Sequence, residues 1–319
     1  MKIAIVGPGF MPIPSTGWGA VENLVWDIRC ELVKIGHEVH IVNTSNRNEI
    51  VEQVNSLRPD FVHVQYDDYA DCIPYFECKR VALTSHYGYL TQPHRWDEGY
   101  RRIFAACCNS GATVFALSPQ IANVYLSAGL PPEKVKVVPN GVNFESFRFV
   151  DSNSPYGKTA CVAKVEARKR QVATRDIDRV LYYGRTAPGF EWFSSHKNYC
   201  GEWSREKLYS DLTFHDNLVL LSDGEAHALV LNEAMAAGLG LVVSELAWSN
   251  IDPKLPFLSI VPELLTGDKD YIEHVLKKNA EESIQVRDQI RKIAESWSWS
   301  NIVRNQYCSA LQIVIETAR

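Results

Sequence analysis

The sequence predicts an α/β protein in which two doubly wound parallel sheets are laid down one after the other. Short apolar runs rich in Val and Ile alternate with longer amphipathic or Ala-rich runs, the pattern of strands each followed by a helix. Glycine closes helical runs at Gly36 and Gly238, where a left-handed terminal residue is needed. The 319 residues exceed an ordinary single domain, so the alternation has room to occur twice.

Taken in order, Lys2-Ile3-Ala4-Ile5-Val6-Gly7 is a buried strand that runs into a Gly/Pro-rich loop. A helix over about 20–35 ends at Gly36, and His37-Glu38-Val39-His40-Ile41-Val42 is the next strand. Helix 48–57, strands 61–65 and 81–85, an aromatic and charged stretch at 87–102, strand 113–118, helix 119–128 and strand 135–139 complete the first half. The polar run Asp151-Ser152-Asn153-Ser154-Pro155-Tyr156-Gly157 reads as a linker. Beyond it, 159–163, 179–183, 218–221 and 240–244 are the strands of a second, smaller parallel sheet. The tail, 302–318, is a long helix with Trp297 and Trp299 at its start. The domains are therefore 1–150 and 151–296, followed by a terminal segment at 297–319.

Hydrophobic residues make up 46% of the chain and charged ones 22%, enough apolar material for large cores. A formal net charge of −5 argues against nucleic acid as a partner, because backbone phosphates call for a basic face. It leaves room for a local basic pocket. The eight cysteines, two of them adjacent at Cys107-Cys108, show no Cys-x-x-Cys or Cys/His metal spacing. In a chain that opens on a strand rather than a signal peptide they read as reduced thiols, which predicts a cytoplasmic protein. No apolar run reaches the length of a membrane span, although contact with a membrane surface stays open.

Most of the chemical information lies in 225–238. Leu218-Val219-Leu220-Leu221-Ser222-Asp223 is a short buried strand, Glu225 follows in the turn, and Glu233 lies eight positions on in an Ala-rich helical run. A strand end, a carboxylate and a helix N-terminus form an anion and sugar site in doubly wound folds, because free backbone N–H groups and the helix dipole converge there. The bland alternative is a pair of solvated glutamates on an amphipathic helix.

This Glu-x7-Glu pattern resembles the signature of the family-four retaining glycosyltransferases of the GT-B fold, and the resemblance runs nearly end to end. Pro14-Ser15-Thr16-Gly17-Trp18-Gly19-Ala20-Val21-Glu22 is similar to their donor loop, written G-x-G-G-x-E. Gly36-His37-Glu38-Val39 is similar to their second-strand entry, and Val138-Pro139-Asn140-Gly141-Val142-Asn143 to their N-G-V-D turn, with Asn143 for Asp. Lys164 and Lys169 stand at the spacing of the family's diphosphate-binding Arg and Lys. Trp297-Ser298-Trp299 and the helix after it resemble the terminal helix that crosses back onto the first domain. There are departures. Ala20 replaces the second glycine, His227-Ala228 replaces Phe-Gly, and Lys164 is a point charge where the family has a guanidinium fork. Only 56 positions separate Lys169 from Glu225, which implies that the second domain has lost a strand–helix unit.

The resemblance implies a GT-B fold: two Rossmann-like domains facing across a cleft, the first on the acceptor side, the second abbreviated and holding the nucleotide sugar. It implies retaining transfer of a hexose from a nucleotide sugar to a hydroxyl acceptor, in polysaccharide or glycoconjugate biosynthesis. UDP is preferred to GDP as the nucleotide, and the acceptor is a sugar, a lipid-linked sugar or a small molecule. No cofactor and no metal are expected. Instead, cations and helix N-termini stabilise the leaving diphosphate: Lys164 and Lys169, Gly19, and the N–H groups of Leu229 and Val230. Glu233 accepts from both ribose hydroxyls, which suits a carboxylate with two oxygens. Glu225 lies against the hexose and its developing positive charge. His86, after strand 81–85, meets the donor hexose and faces Glu225 across the cleft.

Asp67-Asp68, without a third ligand, reads as a solvated turn rather than a metal site. Gly7-Pro8-Gly9 begins like a dinucleotide fingerprint, but Pro12 replaces the third glycine and the second strand ends in Asn43 rather than an acidic residue, which argues against NAD. Tyr87, Tyr89, His94, Arg95, Trp96 and Tyr100 offer either stacking faces for an acceptor or an ordinary packed loop and helix. Competing functions are a nucleotide-sugar epimerase of the same fold and a non-catalytic sugar–nucleotide binder. A third, transfer onto nucleic-acid bases, is disfavoured by the acidic charge.

Overall fold

The computed structural model describes residues 1–15, 19–151 and 157–317, residue 317 by its backbone only. The chain divides into one unit formed by Met1–Asn140 with Trp299–Arg319, and a second formed by Gly141–Ser298.

The first unit is built on six parallel strands: β1 (Lys2–Val6), β2 (Glu38–Val42), β3 (Phe61–Val64), β4 (Val81–Leu83), β5 (Thr113–Ala116) and β6 (Val135–Val137), in the order β2-β1-β3-β4-β5-β6. Residues 3–6, 61–64 and 81–83 are buried without exception, which is why these strands read as almost unbroken apolar runs. His63 is the polar exception within them. Helices α1 (Ala20–Lys34), α2 (Arg47–Leu57), α3 (Glu98–Asn109) and α4 (Pro119–Ser127) connect the strands. Three are started by side-chain caps: Asn46 accepts from the amides of Asn48 and Glu49, Asp97 from Tyr100, and Ser118 from Ile121. The C-terminal segment belongs to this unit. Two α-helical stretches, Trp299–Ile302 and Cys308–Thr317, flank a π-helical turn at Val303–Tyr307 where the sequence predicts one continuous helix. Trp299, Ile302, Val303 and Tyr307 are buried. Ala318, at the end of the predicted helix, lies outside the described residues.

The second unit has five parallel strands: β7 (Thr159–Val162), β8 (Val180–Tyr183), β9 (Asn217–Leu220), β10 (Gly240–Ser244) and β11 (Leu258–Val261), in the order β11-β10-β9-β7-β8. Counted from its own first strand, the first sheet runs 2-1-3-4-5-6 and the second 2-1-3-4-5, so each reverses direction between its first and third strands, at β1/β3 and at β7/β9. Ligands of doubly wound sheets bind at such switch points, beyond the carboxyl ends of the strands. The second sheet has one strand fewer than the first, and β8 forms one of its edges. There the chain at 198–200 makes a single bridge: Tyr182 N donates to Asn198 O at 3.0 Å and Cys200 N to Tyr182 O at 2.9 Å.

Gly141, rather than the polar run, opens the second unit. Phe144 and Phe147 are buried in its core with Leu218, Ala234 and Leu241, so 141–150 pack with the domain that follows them. Residues 152–156 of the predicted linker lie outside the described residues. Helices α5 (Arg205–Asp211), α6 (Leu229–Ala236), α7 (Lys269–Ile284) and α8 (Arg287–Glu295) complete this unit. No helix among the described residues is long and apolar enough to cross a membrane.

Candidate active site

In the second unit the predicted residues gather at the β7/β9 switch point. After β7 the chain passes through Lys164 into a 3-10 turn at Ala167–Lys169, and Arg170 takes a left-handed conformation, φ 52°. The buried Gln171 pins this loop from within: its Nε2 donates to Lys164 O at 2.9 Å and its Oε1 accepts from Glu166 N at 3.4 Å. After β9, Ser222 is fully buried; its carbonyl accepts from the Ser244 hydroxyl at 2.5 Å, and its own hydroxyl donates to Gly224 O at 3.2 Å. Asp223 N donates to Arg168 O at 2.9 Å and ties the two loops together.

These loops carry a row of alternating charges. Lys164 Nζ lies 3.3 Å from Glu166, Arg168 donates to Glu166 at 3.0 Å and lies 3.1 Å from Glu225 Oε1, and Lys169 Nζ donates to that same oxygen. Three cations face two carboxylates, leaving a net charge of +1. Glu225 retains 11% and Lys169 13% of their side-chain exposure, against 37% for Lys164. Burial pushes the Glu225 carboxyl up, but the charges of Lys169 and Arg168 and the Lys169 hydrogen bond outweigh it and hold its pKa below the ordinary carboxylate value.

Leu229 and Val230 are the first two residues of α6, where N–H groups have no intrahelical acceptor. The N-cap, Ala228, supplies no side-chain bond, and the first turn holds no acidic residue to neutralise the dipole. Glu233 stands one turn after Leu229, on the same helix face and half-buried. His227, which replaces the family's Phe in this stretch, is buried with its ring 5.8 Å from that of Trp297.

In the first unit Gly19 is buried at the N-cap of α1; its amide donates to Ser15 Oγ at 3.1 Å. A Cβ there would come within 2.7 Å of Glu22 Oε2 and 2.8 Å of Ser15 Oγ, so a larger residue would have to displace these two side chains. Thr16, Gly17 and Trp18 of the donor-loop motif lie outside the described residues. His86 follows β4, half-buried, with Nε2 2.9 Å from Gln65 Oε1. Burial lowers its pKa to about 4, so the ring is neutral at neutral pH.

One expectation needs correction. Asp67 is not a solvated turn residue. It is 7% exposed, accepts from the hydroxyls of Ser85 and Tyr100, and its pKa is raised by burial against the pull of those bonds. Asp68 instead pairs with Arg47 at 2.8 Å. In the aromatic stretch Tyr87 stacks on Tyr100 with centroids 3.5 Å apart, and buried Trp96 packs on Phe104, so Trp96 and Tyr100 pack with α3 while His94 and Arg95 are exposed. Glu166, Gln171 and Gln65 escaped the sequence reading altogether. The signal for Gln65 was there to be read: His63 and Gln65 are polar residues in a strand otherwise apolar on both faces.

Residues 43–146 match the family model described as Glycosyltransferase Family 4. Among curated proteins none matches the chain. The solved structures it resembles include a sucrose-phosphate synthase from Thermosynechococcus elongatus (TM-score 0.77, 15% identity, 100% of each chain covered). They also include AviGT4, a glycosyltransferase involved in avilamycin A biosynthesis (0.72, 16%, 99% and 98%), and Anabaena HepE in complex with UDP and glucose (0.71, 14%, 100% and 99%). A family-four segment thus lies within a two-sheet architecture that the chain shares with these solved structures, and the fold is GT-B.

Proposed function

We propose that this chain is a retaining transferase that moves a hexose from UDP to a hydroxyl acceptor without a metal ion, in polysaccharide or glycoconjugate assembly. The observation that carries the proposal is the Lys169–Glu225–Arg168 cluster at the β7/β9 switch point. Breaking the bond between the anomeric carbon and the diphosphate oxygen leaves negative charge on phosphate and positive charge on the sugar. Lys169, Arg168 and Lys164, with the amides of Leu229 and Val230, answer the first. The ionised Glu225 answers the second. Gly19, at the N-cap of α1, serves the same diphosphate by admitting close backbone approach. The acceptor oxygen attacks the face that the diphosphate leaves, and its proton passes to the departing phosphate oxygen. Glu233 holds the ribose hydroxyls and His86 a hydroxyl of the hexose. UDP is preferred because HepE, of like fold, binds UDP and UDP-glucose.

The test is to incubate the protein with UDP- and GDP-hexoses, with EDTA and without, measuring nucleotide release and the anomeric configuration of the product. Metal-independent UDP release with retained configuration supports the proposal. Loss of turnover with EDTA and its return with magnesium or manganese overturns the metal-free part. Binding without any turnover leaves a sugar–nucleotide binder.

A further inference from the structure

In the first unit a directional series of hydrogen bonds leads from a backbone carbonyl to His86. The Thr84 hydroxyl donates to Phe115 O at 3.2 Å, and a carbonyl can only accept. Its one proton thus committed, Thr84 Oγ1 accepts from His63 Nε2 at 2.9 Å, so His63 carries its hydrogen on Nε2. His63 Nδ1 is then an acceptor. It takes the Tyr307 hydroxyl at 2.9 Å and Gln65 Nε2 at 3.2 Å. This orients the Gln65 amide and leaves its Oε1 toward His86 Nε2 at 2.9 Å, which must therefore carry the hydrogen.

The sequence of donors holds only if His63 is neutral. It is 2% exposed; burial, helped by His86 nearby, lowers its pKa to about 3. Tyr307, the other titratable member, is kept protonated by burial. Gln65, Thr84 and Tyr307 are also buried, so water does not compete for these bonds. Tyr307 ends the π-helical turn of the C-terminal segment, an irregularity often found at functional sites.

We propose that Gln65 is a positioning residue: it fixes His86 as the Nε2–H tautomer and leaves Nδ1 as the ring's acceptor, with His63, Thr84 and Tyr307 forming the frame that orients Gln65. A neutral His86 so held accepts a hydrogen bond from a hydroxyl and offers none at that atom. The functional consequence rests on the reading of His86 as a donor-sugar contact, whereas the tautomer does not.

The decisive measurement is the long-range 1H–15N spectrum of the full chain labelled at histidine, near pH 7.5, with His86 assigned by its loss in His86→Gln. The wild type should show a protonated Nε2 and a bare Nδ1. Gln65→Leu should give a mixture of tautomers, and Gln65→Glu, which keeps an oxygen facing His86, should restore the wild-type form. Gln65→Leu should also lower kcat by about 10²-fold, the scale for a small misplacement of a reacting group, with a smaller change in donor KM. A wild-type His86 protonated on Nδ1 overturns the proposal, as does a folded Gln65→Leu with an unchanged tautomer. Should Gln65→Leu fail to fold, the wild-type and Gln65→Glu spectra decide. The predicted tautomer in a protein that turns over no nucleotide sugar leaves the positioning network standing and removes the transferase reading.

Discussion

Lys169 and Glu225, 56 positions apart, form a direct hydrogen-bonded ion pair between the loops that follow β7 and β9. Arg168 reaches the same carboxylate oxygen. A glutamate this enclosed would ordinarily hold its proton; two cations on one oxygen keep it ionised. An ionised Glu225 suits stabilisation of positive charge at a sugar and not donation of a proton.

Lys169→Ala should reduce the rate of UDP release by about two to three orders of magnitude, the usual effect of removing one preorganised electrostatic partner. Lys164→Ala should cost less, because that side chain is 37% exposed and its charge is screened. The two rate constants at saturating donor, with folding checked by circular dichroism, decide. Equal losses would mean that Lys169 has no special place at the diphosphate.

Glu233→Ala should weaken UDP binding at least about tenfold, equivalent to losing one charge-assisted hydrogen bond of about 1.5 kcal/mol. Titration calorimetry with UDP gives the value. Unchanged affinity in a folded variant would remove Glu233 from the ribose.

Stability should fall as pH drops from about 6.5 toward 4. Burial lowers His63 to about 3, and His86 and His215 to about 4, so the unfolded chain takes up protons in this window that the folded chain refuses. Glu225 works in the usual carboxylate sense: its contribution is present above its unfolded pKa and is lost as pH falls through its depressed folded value, which extends the decline further into acid. Asp67 opposes the trend, since its raised pKa makes protonation favourable to the fold. A melting temperature constant between pH 7.5 and 5 would contradict this account.

Arg287→Met should destabilise the second unit by about 3–5 kcal/mol, the scale for breaking a buried polar network. The side chain is 1% exposed, and its guanidinium donates to four backbone carbonyls: Val150 at 3.0 Å, His215 at 2.9 Å, Thr213 at 2.6 Å and Ala237 at 3.1 Å. Without it those acceptors lose donors that no other group replaces. Lysine lacks the fork and should recover only part of the loss in urea unfolding.

The strands were legible because sheets covered on both faces write themselves as apolar runs, and the extents of β1, β2, β7 and β10 follow closely from them. Helices α7 and α8 were not read. On α7 the apolar stripe is short, Ile272, Leu276 and Ala280, and the buried Asn279 and Ser283 stand beside it where further apolar residues would announce a helix. Gly240 explains the substitution: a Cβ there would lie 1.8 Å from Ser283 Oγ, so helix and strand approach too closely for large side chains, while Asn279 Nδ2 donates to the carbonyls of Leu241 and Phe257. Lys169 and Glu225 were picked out by resemblance; that Arg168 and Lys169 share one oxygen of Glu225 depends on the left-handed turn at Arg170 and the loop tie at Asp223, which no spacing encodes.

The first unit is discontinuous along the chain, since Met1–Asn140 is joined by Trp299–Arg319. A ribosome delivers those closing residues only after the whole of the second unit. While the contiguous second unit emerges whole, the earlier-made sheet waits without Tyr307, the hydroxyl partner of His63, and without the apolar cover of Trp299, Ile302 and Val303. Nascent domains generally fold as they appear, N-terminal first; here the order of completion is the reverse of the order of synthesis. A premature stop ahead of Trp299 therefore damages the part of the molecule that was translated first.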